Sequence, residues 1–337
     1  MPNPDDLHPY STLTPDVILD AVESAKFQCN GRLLALNSYE NRVYQIGLEE
    51  SDPIVVKFYR PQRWSNEAIH EEHEFTLKLA EQEIPVVPPL VSESESESGN
   101  GITLHTHQQF RFSLYARRGG HGPDLSQAEH RQWLGRFVGR IHAFGELKSY
   151  KHRPSLTVDS FVTQPSQFLL EQQILPPHIE QIYADLIEQA TGLINERYRM
   201  AGETSSIRLH GDCHAGNVLW TDQGPHFVDF DDSRMGPAIQ DLWMMLSGQR
   251  EEMTSQLVDL LEGYQRFFNF NESELHLIEA LRTMRIVNYA AWLAKRWSDP
   301  AFPAAFPWFD SPRFWEDHIL SLREQIALLQ ENTIVLY

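Results

Sequence analysis

Apolar positions change their spacing along this chain, and each change marks a different element. Thr14-Pro15 followed by Asp16, Val17, Ile18, Ala21 and Val22 reads as an N-cap, a proline at the first helical position and an apolar stripe, so a short helix is predicted to open the chain. From Gly31 to Tyr59 the helical period is lost. Arg42-Val-Tyr-Gln-Ile46 and Pro53-Ile-Val-Val-Lys-Phe-Tyr59 are β-branched and aromatic runs with turn-forming residues between them, which predicts paired antiparallel strands. A helix follows from Ser65 to about Glu83, where Ile69, Glu72, Thr76 and Leu79 recur at spacings of three, four and three. Glu72 therefore belongs to the inward stripe, whereas Glu71 and Glu74 do not.

The run Ser92-Glu-Ser-Glu-Ser-Glu-Ser98 with the Gly-Asn-Gly after it is acidic and turn-rich, and it reads as a solvated loop. Strands are predicted to resume at Ile102 to Leu104 and Phe110 to Tyr115, ahead of the turn Arg117-Arg-Gly-Gly120. The pattern becomes mostly helical beyond it. Ser126-Gln-Ala-Glu129 reads as a capping box leading into a Trp133, Phe137, Ile141 stripe, and further helices are predicted over about 177–199, 238–262, 273–296 and 313–330. One short β-rich interlude, Ile207 to Phe230, interrupts them. The expected class is α+β, with an N-lobe over residues 1–116 built on a small antiparallel sheet and a mostly helical C-lobe over 117–337.

Composition narrows the partners. A chain of 337 residues suits two lobes around a cleft, since single cores stop growing at about 250–300 residues. A formal net charge of −19 leaves no broad basic surface for nucleic acid. The absence of an apolar run of ~20 residues, together with the acidic, proline-bearing start MPNPDDLHPY, argues against a membrane span or signal peptide and for a cytoplasmic protein. Cys29 and Cys213, far apart in sequence, suit a reducing compartment and form no zinc cluster.

The densest polar chemistry lies in Ile207-Arg-Leu-His-Gly-Asp-Cys-His-Ala-Gly-Asn-Val-Leu-Trp220 and in His226-Phe-Val-Asp-Phe-Asp-Asp232. Phosphoryl transfer from ATP needs a carboxylate to align the attacking hydroxyl and hard oxygen ligands for Mg²⁺. On that logic Asp212 is the catalytic base, Asn217 and Asp229 hold the metal, with Asp229 thereby also catalytic, and His210 holds the loop. Taken singly, Asp212 and Asn217 could be turn residues and Asp229 a strand end. Their order and spacing between apolar strands carry the assignment. Lys57, on a strand, is a candidate for the nucleotide phosphates, and Glu72 is its expected partner, because an acid on an apolar stripe would otherwise be an unpaired buried charge. Leu36-Asn-Ser-Tyr-Glu-Asn-Arg-Val-Tyr44 occupies the place of a nucleotide-covering loop without any glycine, and Ser38 with its neighbouring backbone N–H groups is its candidate phosphate contact. Asp241, at a helix start, reads as a structural brace of the catalytic loop. A His210, Asp212, His214 metal cluster would suit a hydrolase, but no second group at ligand spacing supports it. Cys213 reads as a small buried residue.

At these residues the chain resembles the aminoglycoside and choline kinase-like superfamily and, within it, the bacterial stress response kinase A family of serine/threonine protein kinases. Leu36–Gln45, Val56–Pro61, His210–Asn217, Gly236–Met244 and Asp299-Pro-Ala-Phe-Pro303 carry the resemblance. It implies a two-lobed protein-kinase-like fold, ATP and Mg²⁺ as cofactors, Asp212 as acid/base, Asn217 and Asp229 as ligands and Ser38 in the ATP loop. A protein Ser/Thr substrate, a monomeric state, a cytoplasmic location and a role in surviving stress go with it. Two departures stand out: the long serine-glutamate run, and Asp229 followed by Phe-Asp-Asp with no room before Asp241 for a long activation segment. A small-molecule hydroxyl kinase of the aminoglycoside, choline or homoserine type shares every catalytic residue and stays open. A nucleotide-binding module without turnover is the third reading.

Overall fold

Thr14 and Ser65 both cap the helices they precede: Thr14 Oγ1 accepts the Val17 N–H at 3.4 Å and Ser65 Oγ accepts the Ala68 N–H at 3.2 Å. The computed structural model describes residues 8–92 and 101–336. Residues 1–7 of the acidic start and 93–98 of the serine-glutamate run lie outside them. The described residues fall into two compact units, the first made of those up to Pro123 with Tyr150–Arg153 and Gly216–Asp232, the second of Asp124–Ser149, Pro154–Ala215 and those from Ser233 onward. Among them no helix is long and apolar enough to cross a membrane.

In the first unit, α1 (Pro15–Ser24) precedes β1 (Cys29–Ala35), β2 (Arg42–Leu48) and β3 (Ile54–Phe58); then come α2 (Asn66–Glu81), β4 (His105–His107) and β5 (Phe110–Ala116). They form an antiparallel five-stranded sheet in the order β1-β2-β3-β5-β4. Strand alternation sends Ile54, Val56 and Phe58 into a core shared with Ile18 and Val22 of α1, and sends Val55 and Lys57 to the opposite face. The strand predicted at Ile102–Leu104 is displaced: Ile102 makes only a bridge to Ser92, and the ladder starts at His105. The tight turn at Gln108, with φ of 52°, sets that register, because pairing must run outward from it.

The second unit contains α3 (Ala128–Gly145), α4 (Gln164–Glu171), α5 (Glu180–Ala201), α6 (Ile239–Trp243), α7 (Arg250–Tyr264), α8 (Ile278–Lys295), α9 (Ala301–Ala305) and α10 (Pro312–Gln330). The capping box expected at Ser126 does not form, because Ser126 Oγ donates to Asp124 Oδ1 at 2.6 Å and Gln127, which takes the N-cap position, turns its amide to Asp124 Oδ2 at 2.7 Å instead of capping the helix. The buried stripe of α3 is Leu134, Val138 and Ile141, with Trp133 and Phe137 only half-buried at its margin. Small residues decide this rotation. A Cβ on Gly135 would stand 1.9 Å from the Leu260 carbonyl oxygen and one on Gly263 2.0 Å from that of Gln132, so α3 and α7 cross backbone to backbone. The predicted 238–262 helix is broken after α6, where Gly248 takes a φ of 87° and Gln249 with Glu252 forms a capping box that restarts the helix.

Candidate active site

Lys57 reaches the face of the sheet away from the core only because of the two-residue period of β3. Its side chain is 8% exposed, and Nζ lies 3.7 Å from Asp229 Oδ1 and 3.7 Å from Asp231 Oδ1. The rings of Tyr59 and Tyr115 are 5.1 and 5.4 Å away. Burial works to discharge Lys57, but the oxygens of Tyr115 and Tyr59 and the carboxylates of Asp231 and Glu72 hold its ammonium protonated, well above its ordinary value.

The expected Lys57–Glu72 pair needs correction. Glu72 is buried on α2 as its stripe predicts, but the carboxylates within ion-pair distance of Lys57 are Asp229 and Asp231. Burial raises the Glu72 pKa, Lys57 and Arg153 oppose it, and Oε2 has no hydrogen-bond partner among the described residues. Glu71 has a role its position on the helix did not announce: its carboxylate accepts the backbone N–H groups of Lys151, His152 and Arg153 at 2.7, 2.9 and 3.0 Å. Asp231, which the sequence reasoning passed over, is turned inward by a 3₁₀ turn at Phe230–Asp232. Burial would raise its pKa, yet the Arg63 guanidinium at 2.6 Å and the cations of Lys57 and Arg153 hold it well below the carboxylate range. Two adjacent aspartates give no sequence signal for which one faces inward.

Ser38, Lys57, Glu72, Asn217 and Asp229 line one cavity of about 350 Å³, with Val43, Val55 and Leu219 as part of its apolar wall. That size and lining suit a small ligand with a flat apolar part and a charged part. Ser38 Oγ donates to the Asn41 carbonyl at 3.2 Å and so ties its own loop. Asn217 and Asp229 come together because the hairpin of Val218–Thr221 with Gly224–Phe227 closes between them, the Val228 N–H reaching the Asn217 carbonyl at 3.0 Å. Asp229 has a φ of 62° and a side chain 53% exposed. An amide oxygen and an accessible carboxylate fit a hard divalent cation. Among the described residues no cluster of three or more His, Cys, Asp or Glu could hold a metal alone, so phosphate oxygens and water would complete the shell.

In the second unit the segment around Asp212 is held from below. Buried Asp241 of α6 accepts the His210 N–H at 2.7 Å and the Gly211 N–H at 2.9 Å. It lies 3.0 Å from His142 Nε2, and His142 Nδ1 lies 2.8 Å from the Tyr264 hydroxyl. Gly211, with φ of 88°, supplies the left-handed turn that lets both N–H groups point to one carboxylate. Cys213 is buried, and burial pushes its thiol well up. Asp212 is 24% exposed; Arg285 Nη1 donates to its Oδ1 at 2.5 Å and His214 Nε2 lies 3.4 Å from its Oδ2. Burial works against the charge, but the His214 hydrogen bond and the Arg285 cation hold the carboxyl well below its usual range. Arg285 was not foreseen, because nothing in the α8 sequence links it to a loop 73 positions earlier.

The chain matches the phosphotransferase enzyme family over residues 32–278. It is 40% identical over 327 residues to stress response kinase A of Escherichia coli O157:H7, with 97% of each chain covered. To the serine/threonine protein kinase RdoA of Salmonella typhimurium strain LT2 it is 39% identical over 332 residues, 98% of each. Its fold is similar to that of a microcompartment-associated aminopropanol kinase, with a TM-score of 0.68 at 16% identity, covering 94% of this chain and 97% of the other. It is also similar to amicoumacin kinase hAmiN in complex with AMP-PNP, Ca²⁺ and Ami, with a TM-score of 0.66 at 16% identity over 88% and 91%. These likenesses make the architecture an α+β kinase-like fold.

Proposed function

The chain belongs to the phosphotransferase enzyme family, and from that premise we propose that it is an ATP- and Mg²⁺-dependent serine/threonine protein kinase. The observation that carries the reading is the cavity where Lys57, Glu72, Asn217 and Asp229 converge with Ser38, lined by charged groups and by apolar side chains such as Val43, Val55 and Leu219. In this reading the protonated Lys57 binds the α and β phosphates, Ser38 contacts phosphate from its loop, and Asn217 and Asp229 hold the metal. When bound, Mg²⁺ neutralises charge on the phosphate oxygens and favours the leaving of ADP. The acceptor hydroxyl oxygen bonds to the γ-phosphorus as the bond to the bridging oxygen of ADP breaks, and Asp212 takes the hydroxyl proton.

A protein acceptor and a role in surviving stress are supported by the whole-length similarity to relatives named as stress response and serine/threonine protein kinases. The small-molecule kinases share only the fold at 16% identity. One observation favours such a kinase instead: only a short stretch separates Asp229 from Asp241, too little for a long activation segment. We also place the enzyme in the cytoplasm, as a monomer.

The test is purified enzyme with Mg²⁺ and ATP labelled at the γ-phosphate. Label should appear on Ser or Thr of the enzyme itself or of a generic protein substrate, and should disappear in Asp212→Asn. Aminoglycosides, choline and homoserine should not speed ATP consumption. A single small hydroxyl compound that raises turnover by orders of magnitude without protein labelling would overturn the protein acceptor.

A further inference from the structure

Arg285 is an unusual neighbour for a carboxylate whose proposed task is to take the proton of an acceptor hydroxyl. Its Nη1 sits 2.5 Å from Asp212 Oδ1, yet its side chain is 45% exposed and makes no second side-chain hydrogen bond among the described residues. A guanidinium offers five donors in a planar fork and can serve two anions at once. The helix it belongs to continues the same character. Tyr289, one turn on, is 40% exposed and stacks on Trp292, with centroids 5.7 Å apart at 16°; the Arg296 guanidinium lies 5.3 Å from Trp292. From Arg285 through Trp297 the chain carries Arg285, Lys295 and Arg296 and no carboxylate, although the formal net charge of the whole is −19. The stretch of α8 that begins at Arg285 is thus cationic and aromatic in sequence within an acidic protein.

We propose that Arg285 is a specificity-determining residue that admits acceptor hydroxyls flanked by an anionic group and rejects those flanked by an ammonium group. The inference deepens the kinase reading and rests on it: an acidic side chain next to the acceptor Ser or Thr meets the free donors of Arg285, and a lysine, an amino sugar or a choline head meets a like charge. Tyr289 offers an extended peptide a flat apolar contact along the same helix face.

The experiment compares three peptides that differ only in the residues beside one serine, two Glu, two Gln or two Lys, with the wild type, Arg285→Gln and Arg285→Glu. For the wild type, kcat/KM for the Glu peptide should exceed that for the Lys peptide by at least about tenfold, fall toward parity in Arg285→Gln and invert in Arg285→Glu. A wild-type ratio of one or below, or a ratio unchanged in both variants, overturns the proposal. So does loss of activity on all three peptides in both variants while acceptor-independent ATP hydrolysis persists, since Arg285 would then serve the reaction and not the choice of acceptor. If the wild type phosphorylates no peptide, the protein-acceptor reading fails. Glycerate, glycerol and choline then supply the anionic, neutral and cationic acceptors, and the same order of preference with the same inversion is required of Arg285.

Discussion

Lys57 in the first unit and Asp212 in the second are both ion-paired, but they are paired in different surroundings. Lys57 is 8% exposed among Asp229, Asp231 and two tyrosines, whereas Asp212 is 24% exposed and its arginine 45%. Removing one member of a buried pair leaves an uncompensated charge and costs about 3–5 kcal/mol, while an exposed pair is worth ~0–1 kcal/mol. The first arrangement is therefore fixed and the second can exchange partners. That difference suits the two tasks proposed for them: a nucleotide that is the same at every turnover, and an acceptor that comes and leaves.

The largest effect should come from Asp229, the accessible carboxylate of the buried group. Asp229→Ala is expected to abolish phosphoryl transfer, a fall of ~10³-fold or more in kcat through loss of a metal ligand, and near-normal turnover in a single-turnover assay would reject that role. Asp212→Asn should lower kcat by ~10²–10⁴-fold, the range for a positioned general base, with nucleotide affinity measured by calorimetry unchanged. If affinity falls and kcat does not, Asp212 binds instead of reacting.

Stability separates the two regions more directly. Asp231→Asn should cost about 3–5 kcal/mol in denaturant unfolding because Arg63 and Lys57 lose a buried counter-charge, and Arg285→Gln under about 1 kcal/mol. Equal costs would remove the distinction drawn above. A pH-dependent effect concerns Glu274, whose carboxylate accepts the Ile239 N–H of α6 at 2.9 Å and whose pKa burial raises to about 7. A raised folded pKa means the stabilisation is complete below the unfolded value near 4.5 and is lost as pH rises through about 7. Glu274→Gln should flatten the stability profile over that window, a change of at most about 3 kcal/mol; an unchanged slope would show that Glu274 does not titrate there.

Much of the framework was legible. The caps at Thr14 and Ser65, the inward Glu72 and the strand position of Lys57 follow from spacings of a few residues, where side-chain direction is set by the backbone itself. The Ser126 box failed because Asp124 competes for the same hydroxyl, and the α3 stripe was misread because Gly135 and Gly139, which carry no hydrophobic signal, mark the closest approach to α7. Large aromatics drew the assignment toward Trp133 and Phe137, and backbone proximity placed them at the margin.

The sequence by itself determined the broad order of strands and helices, the inward faces of α1, α2 and β3, and which loop residues from His210 to Asp229 are candidates for chemistry, because periodicity and motif spacing are local quantities. Only the tertiary structure decided that Tyr150–Arg153 and Gly216–Asp232 join the first unit, that Asp231 and not Glu72 lies at ion-pair distance from Lys57, and that Arg285 meets Asp212. His142 approaches Asp241 across 99 positions and Arg285 meets Asp212 across 73. At such separations the choice of partner depends on how whole elements pack, and a charge in the sequence carries no mark of which opposite charge it will find.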